Sequence, residues 1–170
     1  MKRIVLTGAE STGKSTLAAA LSGYYGEPWT TEFVRQYVDG IEHALSVEDL
    51  VPIAKGQLTQ EDHATAEANR LIIHDTNILS SIIYANYYFE TVIDWVNETF
   101  LARDYNLYLL CMPDIPWVPD EGQREGPEVR DTLHRLFKET LDKLKLPYVE
   151  ISGNEAERFG TAIRAIDATL

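Results

Sequence analysis

The chain is poor in cysteine, in basic residues and in long apolar runs, and each shortage excludes something. Its only cysteine, Cys111, can form no internal disulfide, so nothing points to an oxidising compartment. No stretch approaches the roughly 20 consecutive apolar residues that span a bilayer. The opening apolar run, residues 4–6, is broken at once by Thr7 and Gly8 and is too short for the core of a signal peptide. A cytoplasmic protein is therefore expected. With 15 Lys and Arg against 27 Asp and Glu, the formal charge is −12. Nucleic acids and anionic membranes are bound mainly by cationic side chains that neutralise phosphates. Neither is an expected partner, although a local basic pocket for a single nucleotide is compatible with this balance. The four histidines fall into no H-E-x-x-H pattern and no Cys/His cluster. A guanine-reading N-K-x-D segment is missing as well, which disfavours a GTPase.

What is present is a well-filled core. At 45% hydrophobic content and 170 residues, the chain has the size and composition of one domain. Short apolar runs at residues 2–7, 29–31, 71–75, 107–112 and 148–151 read as strands. Between them lie stretches with helical spacing. The first carries Leu17, Ala18 and Leu21 and ends near Gly23 or Gly26. Others run over 33–39 (stopped by Gly40), from Ser46 to about Asn69, over 77–89 and 91–102, from Val129 to Leu144, and from Glu155 to Leu170. Ser46 with Asp49 three residues on is a capping-box pattern. Residues 113–128 hold four of the seven prolines and read as a loop. Strands alternating with helices predict a three-layer α/β domain over 1–170, with a parallel sheet of about five strands and a lid at about 113–130.

Residues Gly8-Ala9-Glu10-Ser11-Thr12-Gly13-Lys14-Ser15 fit G-x-x-x-x-G-K-[ST], between a predicted strand and a predicted helix. In such a P-loop the glycines let successive backbone N–H groups converge on a β-phosphate. Lys14 then supplies charge to the β- and γ-oxygens, and the Ser15 hydroxyl takes a position on Mg²⁺. The helix that follows aims its positive end at the same anion. ATP and Mg²⁺ are the expected cofactors, and a small-molecule kinase is the expected activity.

The other candidates sit near strand ends. Asp75 ends an apolar strand where a Mg²⁺-orienting carboxylate would lie; its alternative is a cap for the next helix. Glu32 could accept the acceptor's proton or orient a metal-bound water, with Arg35 one turn on; the alternative is a surface Glu–Arg pair. Asp120, Arg124 and Arg130 make a charged cover able to close over the transferring phosphoryl group, or else a solvated loop. Trp117 either packs the base of that loop or stacks on a substrate ring.

The segments Gly8-Ala9-Glu10-Ser11-Thr12-Gly13-Lys14-Ser15-Thr16, Glu32-Phe33-Val34-Arg35-Gln36-Tyr37, Asp75-Thr76-Asn77 and Pro113-Asp114-Ile115-Pro116-Trp117 together resemble the NadR-type family, the ribosylnicotinamide kinase domain of a bacterial NAD-salvage regulator. The resemblance covers about residues 1–165. It implies a nucleoside-kinase-like P-loop fold and ATP-dependent phosphorylation of the 5′-hydroxyl of nicotinamide riboside, giving nicotinamide mononucleotide. By the same resemblance Lys14, Ser15 and Thr16 are the phosphate and metal contacts, Glu32 and Arg35 the E-x-x-R segment, Asp75 the start of D-T-D, and Asp120 with Arg124 the lid pair. Gly153, Asn154 and Arg158 match a late turn near adenine. The third residue of D-T-D is Asn77 here, which removes one carboxylate. The acceptor's cationic, flat pyridinium suits an acidic pocket with Tyr84, Tyr88 or Trp117. A kinase for another nucleoside and a nucleotide-sensing ATPase are the competing readings, and the sequence leaves the oligomeric state open.

Overall fold

The computed structural model describes residues 1–119 and 126–170. Five strands form one parallel sheet: β1 (Lys2–Thr7), β2 (Trp29–Thr30), β3 (Leu71–Asp75), β4 (Leu107–Cys111) and β5 (Tyr148–Ile151), in the order β2-β3-β1-β4-β5. Helices α1 (Lys14–Tyr25), α2 (Phe33–Asp39), α3 (Leu50–Glu67), α4 (Ile78–Phe89), α5 (Asp94–Leu101), α6 (Pro127–Lys143) and α7 (Glu155–Asp167) connect them. Side chains alternate across the central strands, so each face of the sheet buries its own layer. Ile4, Leu6, Leu109 and Cys111 pack with Leu17 and Leu21 of α1 and Ile166 of α7. Val5, Tyr108 and Leu110 pack on the other face with Ile78, Leu79, Val96, Phe100 and Phe137 from α4, α5 and α6.

Local chemistry sets the element ends. The Ser46–Asp49 capping box forms as expected and opens a short 3₁₀ turn that leads into α3. Helix α6 starts at Pro127, two residues before the predicted start, because a proline at the first helical position costs no hydrogen bond and presets φ. Because all strands run the same way, their C-terminal ends share one edge of the sheet. The loops that follow Thr7, Thr30, Asp75, Cys111 and Ile151 therefore meet there, where ligands of open α/β sheets bind.

Candidate active site

The turn from β1 into α1 passes close beneath the end of β4. A Cβ on Gly8, whose φ is +122°, would lie 2.9 Å from the Cys111 carbonyl oxygen, so only glycine fits. Ser11 in the same turn holds a left-handed φ of 54°. Lys14 is buried, and its ammonium donates to Ala9 O at 2.6 Å and Gly8 O at 3.2 Å. Thr12 Oγ1 also donates to Ala9 O, at 2.8 Å. Thr16 is exposed on the first turn of α1.

Register brings the second part in. Leu6 of β1 pairs with Asp75 of β3, and the N–H of Thr76 donates to Leu6 O at 2.9 Å. Ser15 Oγ thereby reaches Asp75 Oδ2 at 2.5 Å. The other carboxylate oxygen, Oδ1, is buried and has no hydrogen-bond partner among the described residues. Burial pushes the Asp75 carboxyl above its usual range, against the opposing pull of Lys14 and the Ser15 hydroxyl; Glu32 adds to the rise. Thr76 next to it is buried with φ 64°, a conformation that a β-branched residue rarely adopts. Asn77 is the N-cap of α4: its side chain accepts from Leu79 N at 3.2 Å, while its amide donates to Tyr108 Oη at 3.1 Å. The cap that the Asp75-Thr76-Asn77 segment allowed is thus made by Asn77, and Asp75 faces the P-loop.

A third wall is acidic and aromatic. Glu32 lies just before α2, largely buried, and accepts from Arg35 Nε at 2.9 Å. Tyr84 on α4 lies close enough to sense Glu32, Glu10 and Arg35: burial lifts its phenol well above the usual value, and Glu32 and Glu10 lift it further while Arg35 opposes. Its ring meets Tyr88 at 6.0 Å and Phe137 edge-on at 5.8 Å. Lys14, Ser15, Asp75, Glu32, Arg35, Glu10 and Tyr84 therefore share one neighbourhood. Trp117 is half-buried with its indole N–H unpartnered among the described residues, and Val118 N donates to Ser11 Oγ at 3.1 Å.

Two expected site arginines donate mainly to backbone carbonyls. Arg130 Nη1 donates to Ile115 O and Ser11 O, and Arg158 spreads its donors over Thr12 O, Met112 O, Gly153 O and the Asp114 carboxylate. Asn154 caps α7, accepting from Glu157 N at 2.9 Å in a reciprocal capping box. Asp120 and Arg124 lie outside the described residues. Sequence reasoning missed the grip of α3 on the segment that carries Glu32. Gln60 Nε2 donates to Thr31 O and Oγ1, and Phe33 N donates to Gln57 Oε1 at 3.3 Å. The Phe33 ring lies so close over Gly56 that a Cβ there would be 2.0 Å from it. No local motif signals these contacts, which join residues 23 or more positions apart.

A parallel five-stranded sheet with a P-loop at its ligand edge defines a P-loop nucleotide-binding fold of the kinase type. The sequence matches the AAA domain family over residues 3–158, and the chain belongs to that family. It is similar to the trifunctional NAD biosynthesis/regulator protein NadR of Salmonella typhimurium, 27% identical over 98% of this chain and 42% of the relative. The fold superposes on NadR protein solved in complex with NR, with a TM-score of 0.83 at 22% identity, covering 99% of this chain and 51% of that one. NadR solved with NAD and AMP-PNP gives 0.82 at 21%, covering 99% and 49%. Deoxyadenosine kinase from M. mycoides matches at 0.69 and 15% identity, over 98% of this chain and 99% of that one. The chain spans less than half the length of the curated relative, and the resemblance first drawn from the motifs is borne out. Among the described residues, no helix is long and apolar enough to cross a membrane.

Proposed function

We propose that this domain is an ATP-dependent kinase that phosphorylates the 5′-hydroxyl of nicotinamide riboside, giving nicotinamide mononucleotide. The observation that carries the reading is the convergence of the P-loop, the Ser15–Asp75 pair and the acidic, aromatic wall of Glu32 and Tyr84 on one sheet edge. Support also comes from the name of the curated relative, an NAD biosynthesis protein, and from the NR and AMP-PNP held by the solved one.

In this reading the P-loop amides and Lys14 hold the β- and γ-phosphates, and Thr16 contacts the phosphate on the same helical turn. Mg²⁺ suits the donors present: a hydroxyl and a buried carboxylate with one oxygen unpartnered among the described residues, both hard oxygen ligands. Ser15 and Asp75 would hold the ion, which supplies charge neutralisation when bound. With Asp75 tied to Ser15, Glu32 is the carboxylate proposed to take the acceptor's proton. The acceptor oxygen bonds to the γ-phosphorus, the bond to the β–γ bridging oxygen breaks, and ADP leaves. Arg35 orients Glu32, while Tyr84 and Tyr88 stack on the cationic pyridinium beside the acidic side chains. Trp117 and the lid pair Asp120 and Arg124 complete the cover over the bound nucleotide.

A steady-state assay with Mg-ATP across nucleosides tests this. Nicotinamide riboside should drive ADP release and yield its 5′-monophosphate by mass. A preference for uridine or adenosine would remove the proposed acceptor, and slow hydrolysis that no nucleoside stimulates would favour a sensing ATPase. Lys14→Ala should cut kcat by about a hundredfold or more while the far-UV circular dichroism stays native, since the lysine serves charge stabilisation.

A further inference from the structure

The outer rim of the phosphate loop is gripped by two buried arginines, 7% and 5% exposed. Arg130 Nη1 donates to Ser11 O at 3.2 Å and also to Ile115 O at 2.8 Å. Arg158 Nη1 donates to Thr12 O at 2.8 Å, Nε to Gly153 O at 2.8 Å and Nη2 to Met112 O at 2.9 Å, and the guanidinium pairs with Asp114. The loop's earlier carbonyls are held in the same manner, Gly8 O by Lys14 and Ala9 O by Lys14 and Thr12. Four carbonyls of the turn therefore accept from side chains.

A trans peptide unit carries its C=O and its N–H on opposite sides. Fixing the carbonyls of Ser11 and Thr12 on the arginines thus aims the amides of Thr12 and Gly13 the other way, into the concavity of the loop. A charged donor on a carbonyl also polarises the whole peptide unit and makes its N–H a stronger donor. Arg130 meets no carboxylate among the described residues.

We propose that Arg158 and Arg130 are positioning residues for the β-phosphate, acting through the two peptide units that link Ser11, Thr12 and Gly13 without touching the nucleotide. The inference rests on nucleotide binding by the P-loop, and it gives Arg158 a phosphate-side role in place of the adenine-side one that the family resemblance implies.

Calorimetric titration of inorganic pyrophosphate, ADP and adenosine into the intact chain separates these roles. Arg158→Gln should weaken ADP and pyrophosphate by about tenfold to a hundredfold, the scale of one charge-assisted hydrogen bond, and leave adenosine unchanged. Arg158→Lys should recover part of that loss, because it keeps the charge with fewer donors. In ¹H–¹⁵N spectra of the nucleotide-free protein the Gly13 amide proton should move upfield in Arg158→Gln, and the Thr12 amide in Arg130→Gln. Should Arg158→Gln fail to fold, Arg130→Gln carries the same comparison. Equal losses of adenosine and ADP, or no loss of either, would overturn the proposal. A wild-type chain that binds neither ADP nor pyrophosphate would overturn the P-loop reading beneath it.

Discussion

At the scale of single residues, two buried titratable groups carry opposite consequences. The carboxyl of Asp75 is raised by burial, so between its ordinary value and its folded one the native state binds the proton more tightly than the unfolded chain. Stability then falls as pH rises through that window. Asp75→Asn should therefore melt higher than the parent in the absence of metal, and should need more Mg²⁺ with a lower kcat. A variant that melts lower, or one with unchanged Mg²⁺ dependence, would contradict this stability–function trade. His74 has the reverse sign. It is fully buried, its Nδ1 lies 3.1 Å from Thr30 Oγ1, and its Nε2 is unpartnered among the described residues. Burial lowers its pKa to about 3, with Arg3 and Arg103 adding to the effect and Asp62 opposing. In the unfolded chain it protonates near its ordinary value, so stability is lost as pH falls below that value toward the folded one. Between pH 7 and pH 5 this removes on the order of 2 kcal/mol. In denaturant melts at the two pH values, the loss of stability on going from pH 7 to pH 5 should be smaller in His74→Gln than in the parent by about that amount.

At the scale of elements, the contact between α3 and α2 decides where Glu32 sits. Alanine in place of an interior helical glycine ordinarily stabilises by roughly 1 kcal/mol. At Gly56 the added methyl would collide with the Phe33 ring, and overpacking of this kind costs about 1–3 kcal/mol. The ring must then move, and Phe33 is the residue next to Glu32. Gly56→Ala should raise KM for the acceptor several-fold and leave KM for ATP unchanged, as the ring it displaces belongs to α2 and not to the P-loop. Equal changes in both constants would show general loosening instead. Gln57 extends the same grip into a buried network. It donates to Glu61, whose carboxylate also accepts from Tyr105 Oη at 2.7 Å and faces Arg103 at 3.6 Å. Burial raises the Glu61 carboxyl, and these partners oppose the rise.

At the scale of the whole molecule, the net charge of −12 disfavours a polyanion, while Lys14, Arg35, Arg130 and Arg158 lie at the sheet edge that would hold a single nucleotide. A ligand held only by the native state adds RT ln(1 + [L]/Kd), which is about 2.7 kcal/mol at a hundred times Kd. For a chain of this length that corresponds to a rise in Tm of roughly 5–11 °C. Mg-ADP should produce such a shift in a thermal melt, and Lys14→Ala should abolish it. A shift that survives Lys14→Ala would mean that the nucleotide is bound elsewhere.

The sequence by itself determined those features whose physics is contained in neighbouring residues. The P-loop was legible because eight contiguous residues carry its turn, charge and hydroxyl, and the central strands because each is a short, mostly apolar run. The cap at Ser46 was legible for the same reason. Other features depended on partners far along the chain, and only the tertiary structure decided them. Ser15 finds Asp75 across 60 positions through strand register, and Arg158 finds Thr12 across 146. In the fold the arginine spreads its donors over three carbonyls and the Asp114 carboxylate, and Asn154 caps α7. Buried polar groups must be satisfied by whatever packing brings near, and packing is a property of the folded chain rather than of any segment.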